Sequence, residues 1–352
     1  MSSIKIELAK QSKLHELDLE HIVFGHEFSD HMFMMDYYDG AWKDARIVPF
    51  GPVSVSPAFL SLHYAQSIFE GLKAFYTEQG EVVIFRPQAN FKRLNISADR
   101  MCIPQFDEAF VLDALKQLVN IDKAWVPNVK GASLYIRPII YATDEFIGVK
   151  PSSTYRFIIF CSPVNKYYDA PVKVKIEEHY TRAATGGVGF AKTAGNYAAS
   201  LYPTKLAQKE GFDQLIWTDA KEHKYIEESG TMNLMVNIGG TIITPLAGDT
   251  ILSGITRDTV LKIARDWGMK VEERNLSVDE VMAALHAGTL LEVFGTGTAV
   301  TICHISHIGY QGKTYELPAI ENRDFSNKVN DHLANIRKGS EKDKFGWIEK
   351  VG

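Results

Sequence analysis

Apolar and polar residues along the chain follow two rhythms, a period of two and a period between three and four. Residues 81–86 (EVVIFR) are rich in β-branched and aromatic types and stop at Pro87, which predicts a strand. Pro87 suits the first turn of a helix running to about Met101, with Phe91, Leu94 and Ile96 toward one side. Residues 106–119 (FDEAFVLDALKQLV) place apolar positions at i, i+4 and i+8, the spacing of an amphipathic helix. Two strand-like runs follow, 133–141 (SLYIRPIIY) and 154–164 (TYRFIIFCSPV), joined by a turn with Gly148 and Pro151.

Between residues 165 and 189 the texture changes to connecting loops, with YYDAP at 167–171 and the small-residue run AATGGVG at 183–189. A domain boundary is expected near residue 170. The division is an N-terminal domain over 1–168, an interdomain loop over 169–182 and a C-terminal domain over 183–352. In the second half, strands at 214–218, 231–238, 290–294 and 300–305 alternate with helices at 197–209, 256–267 and 278–287. The βαβ rhythm of a doubly wound sheet is not clean, so two α+β domains fit the pattern better.

Length and composition agree with this division. The 352 residues suit about two domains, and 45% apolar with 23% charged residues is the balance of a soluble globular chain. A net charge of -5 gives no field for phosphate backbones, so no nucleic-acid partner is expected. The basic cluster Arg337, Lys338, Lys342 and Lys344 reads as a solvated tail. Cys102, Cys161 and Cys303 lie in apolar runs and read as buried free thiols in a reducing compartment. The first residues lack a secretory h-region and carry acids that transit peptides avoid, and no apolar run spans a bilayer. A cytoplasmic chain with no membrane partner is expected.

The candidate chemistry centres on residues 189–200, GFAKTAGNYAAS. Small residues around Lys192 permit close approach of a ligand and strip water from the amine, which favours the neutral form that attacks carbonyls. Arg86, between an apolar strand and a proline-led helix, is placed to hold a phosphate bidentately. Glu228, in YIEESGTMNLMV, could pair with a pyridinium nitrogen. The turn LSGITR at 252–257 precedes a helix, so the N–H groups of Ile255 and Thr256 form an anion site. FGTGTA at 294–299 offers further donors. Each feature alone has a plain structural reading as surface lysine, ion-pair arginine, turn acid or turn.

In order along the chain, FEGLKAF (69–75), FRP (85–87), LYIRP (134–138), AKTAGNYAAS, EESGTMNL, LSGITR and FGTGTA resemble the branched-chain aminotransferases. These are fold-type IV pyridoxal-phosphate enzymes related to D-amino-acid aminotransferases. The resemblance implies an α+β fold with a small α/β N-terminal domain and a larger, barrel-like C-terminal domain. It implies ping-pong transamination of leucine, isoleucine and valine with 2-oxoglutarate, giving branched-chain 2-oxo acids and L-glutamate. By the same resemblance Lys192 is the Schiff-base lysine and proton shuttle, Tyr197 bonds the cofactor's phenolic oxygen, and Glu228 pairs with its ring nitrogen. Arg86, the N–H groups of Ile255 and Thr256, and Thr298 hold the phosphate, with Thr231 close to the ring. Phe24, Tyr64, Tyr135 and Tyr167 are the implied aromatic walls, and Arg137 with Thr298 and Ala299 meets carboxylates. Val149 matches a residue contributed by a neighbouring subunit, so a homodimer with shared sites is implied.

Two positions depart from the family pattern. Ala194 stands where members commonly have the first of two glycines, and Val300 removes one half of the C-x-x-C of mammalian members, leaving only Cys303. A rival nucleotide-binding reading of GGVGFAKT (186–193) meets Ala191 where a P-loop requires glycine.

Overall fold

A computed structural model describes residues 3–18, 22–129, 131–165 and 170–352. Strands β1 (Lys5–Ile6), β2 (His31–Tyr38), β3 (Ala41–Pro49), β4 (Ser67–Phe69), β5 (Leu72–Tyr76), β6 (Val82–Phe85), β7 (Ser133–Ala142) and β8 (Tyr155–Val164) come first. With a last strand, Ile348–Lys350, they form one sheet in the order β1-β3-β2-β8-β7-β5-β6 and then Ile348–Lys350, with β4 added on β7. The sheet is antiparallel except at β1, which runs parallel to β3. The β2–β3 turn is Asp39-Gly40, both at positive φ, the pair that a tight hairpin favours.

Helices α1 (Leu60–Tyr64), α2 (Pro87–Arg100) and α3 (Glu108–Ile121) belong to this unit. Helix α3 starts at Glu108 because the Asp107 carboxylate accepts from the N–H groups of Ala109 and Phe110 at 3.0 and 3.1 Å, capping the first turn. Helix α2 buries Phe91 and Leu94 with Phe33, Ile47, Leu115 and Phe157 in one core. Ile96 departs from the expectation: it is exposed, because two residues past Leu94 is the far side of a 3.6-residue turn. Helix α2 ends on Cys102, whose φ of 55° takes the left-handed position. That leaves the thiol exposed, so the expectation of a buried Cys102 is corrected, while Cys161 and Cys303 are buried.

The other unit holds β9 (Val172–Ile176), β10 (Gln214–Thr218), β11 (Ile226–Ser229), β12 (Met232–Ile238), β13 (Thr241–Thr244), β14 (Val271–Glu273), β15 (Leu290–Gly297), β16 (Thr301–Tyr310) and β17 (Lys313–Glu316). The order β11-β10-β9-β16-β15-β12 closes on itself through β11–β12, giving a six-stranded mixed barrel with β13, β14 and β17 outside the ring. Its core takes Val174, Ile216, Leu234, Val236, Val293 and Ile305 from alternating inward positions. Helices α4 (Ala194–Lys209), α5 (Ile255–Asp266), α6 (Val278–His286) and α7 (Asp324–Lys338) complete the element set. Strand β9 lies in the stretch expected to be loop; its VKVKI alternation buries Val172, Val174 and Ile176.

The chain groups into two compact units, residues 1–167 with 191–194 and 334–352, and residues 168–190 with 195–333. The single cut expected over 169–182 does not assign Lys192 or the C-terminus this way. Two short segments return to the first unit because Thr193 bridges to Ile68 and Ile348–Lys350 pairs with β6. Arg337 also departs from the expected solvated tail: it is buried, its guanidinium packed on the Phe75 and Phe85 rings at 5.1 and 4.5 Å. Among the described residues no helix is long and apolar enough to cross a membrane, and no group of three or more His, Cys, Asp or Glu could hold a metal.

Candidate active site

In the first unit, the Lys192 segment is fastened on both sides of its backbone. Its N–H donates to Ser97 Oγ at 2.9 Å, and its carbonyl accepts from the Phe69 N–H at 3.0 Å. The neighbouring Thr193 hydroxyl donates to the Ser67 carbonyl at 2.7 Å. The segment thus lies along β4 like a short extra strand. The half-buried Lys192 side chain directs Nζ over the Phe69 ring, 4.9 Å from its centroid. Arg137, on β7, lies over the same ring at 4.8 Å.

Arg137 also donates to the Tyr135 hydroxyl at 3.0 Å, while its buried Nε finds no acceptor among the described residues. A buried donor without an acceptor costs about 1–3 kcal/mol, so this fork suits an incoming carboxylate. Tyr135 is buried, and Phe24 packs edge-on against it at 5.1 Å. The Tyr135 hydroxyl lies where a Cβ on residue 71 would fall, so that position admits only glycine. Arg86 has φ 52° and ψ 43°, left-handed backbone that is costly for a residue with a Cβ and more so before proline. It persists because the Arg86 N–H donates to the Trp347 carbonyl at 2.7 Å and the guanidinium lies over the Trp347 ring.

In the second unit, Glu228 is buried on β11. Its Oε1 accepts from the Leu252 N–H at 2.6 Å and from Asn233 Nδ2 at 3.5 Å, and its Oε2 lies 3.4 Å from Arg182 Nε. Arg182 is anchored in turn on the carbonyls of Gly189 and Thr250. Asn233 also donates to the Leu252 carbonyl at 2.8 Å. A Cβ at residue 254 would overlap the Asn233 amide oxygen, so Gly254 is fixed by the brace on Glu228. Gly254 is also the N-cap of α5 and offers no capping side chain, so the positive end of the helix dipole lies at Ile255 and Thr256. Thr298 and Ala299 lie in the turn after β15, and Tyr197 is half-buried in the first turn of α4.

Other expected site residues lie further out. Thr231 is exposed in the turn before β12, Tyr64 is 38% exposed at the end of α1, and Val149 is 89% exposed in the loop before β8. Tyr167 lies outside the described residues. Phe69, Glu70, Arg93, Ser97 and Arg182 were not among the expected site residues. A charged residue inside an apolar strand motif, Glu70 in FEGLKAF, was the signal that could have found the buried pair it makes with Arg93.

The family model described as Amino-transferase class IV matches residues 67–308. The chain is 47% identical to branched-chain-amino-acid aminotransferase 2 of Bacillus subtilis (strain 168), over 99% of this chain and 97% of that one. It is 40% identical to the branched-chain-amino-acid aminotransferase of Mycobacterium tuberculosis, over 94% and 92%. Among solved structures, the Escherichia coli branched-chain amino acid aminotransferase aligns with a TM-score of 0.74 at 26% identity, covering 92% of this chain and 99% of that one. A T.th. branched-chain amino acid aminotransferase solved with pyridoxamine 5'-phosphate aligns at 0.72 and 25% identity, covering 90% and 98%. With its six-stranded barrel and α+β units, the chain belongs to the class IV aminotransferases, in the branch of the branched-chain-amino-acid aminotransferases.

Proposed function

We propose that this enzyme transfers the amino group of leucine, isoleucine or valine to 2-oxoglutarate, with pyridoxal 5'-phosphate held by Lys192. The observation that carries the reading is the fastening of Lys192 on both backbone sides while its amine faces an aromatic ring. The donor set fits the cofactor by its chemistry. An amine suits its aldehyde, the buried carboxylate of Glu228 its ring nitrogen, and Arg86 with the start of α5 its phosphate. When bound, pyridoxal phosphate supplies an electron sink for the bond broken at the substrate's Cα.

The chain's own residues supply the rest. Lys192 would take the cofactor's aldehyde and, once released as an amine, would carry the proton off the substrate's Cα. Tyr197 would donate to the cofactor's phenolic oxygen, and Glu228, braced by Leu252 and Arg182, would keep a proton on its ring nitrogen. Arg86, the N–H groups of Ile255 and Thr256, and Thr298 would hold the phosphate, and Thr231 is the residue expected near the ring. Phe24, Tyr64 and Tyr135 would wall the side-chain pocket, where burial of an aliphatic group is worth about 1.5–3 kcal/mol. Arg137, with Thr298 and Ala299, takes carboxylates, including the distal one of glutamate, which burial in such a pocket would otherwise penalise. Val149 acts in the site of a second copy; its exposure beside exposed Phe146 and Ile147 supports a homodimer. The reducing environment that the cysteine pattern suits supports a cytoplasmic enzyme.

The test is a visible absorption spectrum of the purified protein before and after L-leucine, with no oxo acid present. The expected result is a yellow band that collapses on L-leucine and is lacking in Lys192→Ala. A band indifferent to L-leucine but bleached by a D-amino acid would overturn the substrate assignment. Protein that stays colourless after incubation with pyridoxal phosphate would overturn the cofactor assignment.

A further inference from the structure

The start of β2 carries a polar clasp. Asp30 Oδ2 accepts from the Ser12 hydroxyl at 2.6 Å and from Trp125 Nε1 at 2.7 Å, and its Oδ1 accepts from the Lys13 N–H at 2.9 Å. Trp125 is buried in the same core as α3, so its ring fixes the carboxylate to a rigid base. The next residue, His31, repeats the pattern. Its Nδ1 lies 2.6 Å from Asp122 Oδ1, and its Nε2 accepts from the Ala9 N–H at 2.8 Å. Two neighbouring side chains thus hold residues 9–13 of the N-terminal arm on the first unit.

The chain that leaves this clasp at Lys13 comes back to it at Asp30, and Phe24 lies between. Residues 23–26 make a turn, in which the His26 N–H donates to the Val23 carbonyl at 3.4 Å and Gly25 takes φ 76°. The turn sets Phe24 edge-on to Tyr135, with ring centroids 5.1 Å apart. On the return side, Phe28 stacks on Phe50 at 4.8 Å and the Ser29 N–H donates to the Cys161 carbonyl at 2.9 Å. The outgoing side is held by the bonds to Asp30 and His31, with Leu14 and Leu17 packed on the core. A loop pinned at both ends has far fewer arrangements than one tethered at one end, so opening the clasp frees Phe24 from Tyr135 for a larger share of the time. An acid that only closes a surface loop is the plain alternative, and it would change stability alone.

We infer that Asp30 is a positioning residue for substrate selection, clasping the N-terminal arm so that Phe24 stays against Tyr135. The inference rests on Phe24 lining the pocket for the substrate's side chain. Its consequence differs between substrates. A branched aliphatic side chain gains from an apolar wall. The distal carboxylate of glutamate gains instead from the Arg137 guanidinium, which donates to the Tyr135 hydroxyl at 3.0 Å, a bond in which Phe24 takes no part. The clasp therefore favours leucine over glutamate.

The test uses the holoenzyme and one half-reaction. L-leucine and L-glutamate are each mixed with it in the absence of oxo acid, and the single-turnover decay of the cofactor's visible band gives an apparent second-order constant for each. The ratio of the two constants cancels any loss of folded or cofactor-loaded protein, which is all that a structural role would change. Asp30→Asn keeps the shape but turns an N–H donor toward the arm's own donors. It is expected to lower the leucine-to-glutamate ratio about three- to tenfold, the factor by which the competent fraction falls. Ser12→Ala, at an exposed position, loses one bond and is expected to lower the ratio less; it carries the test should Asp30→Asn not fold. Phe24→Ala is expected to lower the ratio on the order of tenfold. Adding Asp30→Asn to it is expected to change little more, because both act through one ring. A wild-type ratio in the clasp variants beside a lowered one in Phe24→Ala would overturn the inference, as would full additivity in the double variant. A wild-type ratio in Phe24→Ala would overturn the placement of Phe24 itself, and the inference with it.

Discussion

Lys73 is buried on β5, and burial, with the charge of Arg337 added, lowers its amine to about 7. The unfolded chain keeps this proton up to the ordinary value of 10.5, so between those values it binds more protons than the folded state. Stability therefore rises with pH across that window. Lys73→Met is expected to remove that slope and to raise stability at pH 7 by roughly 1–4 kcal/mol. Thermal scans of both proteins from pH 7 to pH 10 check this; a gap that does not narrow with pH would count against it. Few such single-residue environments were legible beforehand. Lys192, Arg86 and Glu228 stood out because their neighbours are small, apolar or turn-forming, and local composition is visible in a sequence. Arg337 misled because its surroundings, Phe75 and Phe85, come from a distant segment, and Cys102 because the left-handed turn that ends α2 there is not marked by a glycine.

At the scale of elements, Asp144 organises the loop that carries Val149 before β8. Its carboxylate accepts from the N–H groups of Ser153 and Thr154 at 3.0 Å and from the Thr154 hydroxyl at 2.8 Å. Burial opposes ionisation, but these donors, with the Ser153 backbone first, hold the carboxyl down to about 2. The stabilisation is present above its ordinary 3.8 and is lost as pH falls through about 2. Asp144→Ala is expected to cost about 1–3 kcal/mol at neutral pH. Its difference from wild type in urea unfolding is expected to shrink as pH falls from 5 toward 2. The same variant is expected to weaken self-association in analytical ultracentrifugation, since the loop presents Phe146, Ile147 and Val149. Elements with strong local signals were readable, among them α2, α3, β7 and β8. The strand β9 was hidden because glycine and proline around it read as loop, although its own alternation marks a half-buried strand. The closure of β11 on β12 could not be read, because pairing between strands leaves no local mark.

Over the whole molecule, the last residues return to the sheet laid down by the first half. Ile348–Lys350 pairs with β6, Trp347 packs on Phe85 and under Arg86, and Lys116 and Lys350 make ion pairs with Glu349 and Glu81. Deleting residues 341–352 would leave β6 as an open edge and release the backbone acceptor of Arg86. The truncated chain is expected to melt several degrees lower and to bind pyridoxal phosphate more weakly in a fluorescence titration, and an unchanged affinity would argue against a phosphate role for Arg86. The α+β character was legible from strands and helices that alternate without a clean βαβ rhythm, but the return of the C-terminus was not. That return also orders events during synthesis. The sheet begun by residue 5 cannot gain its final strand until residue 350 has left the ribosome, and about 180 residues of the second half are made in between. At about 5–20 residues per second, the nascent N-terminal half waits roughly ten to forty seconds with an unprotected strand edge. The barrel, contiguous apart from residues 191–194, has all its strands made before then. Chaperone demand on the ribosome is therefore set by the half that is made first.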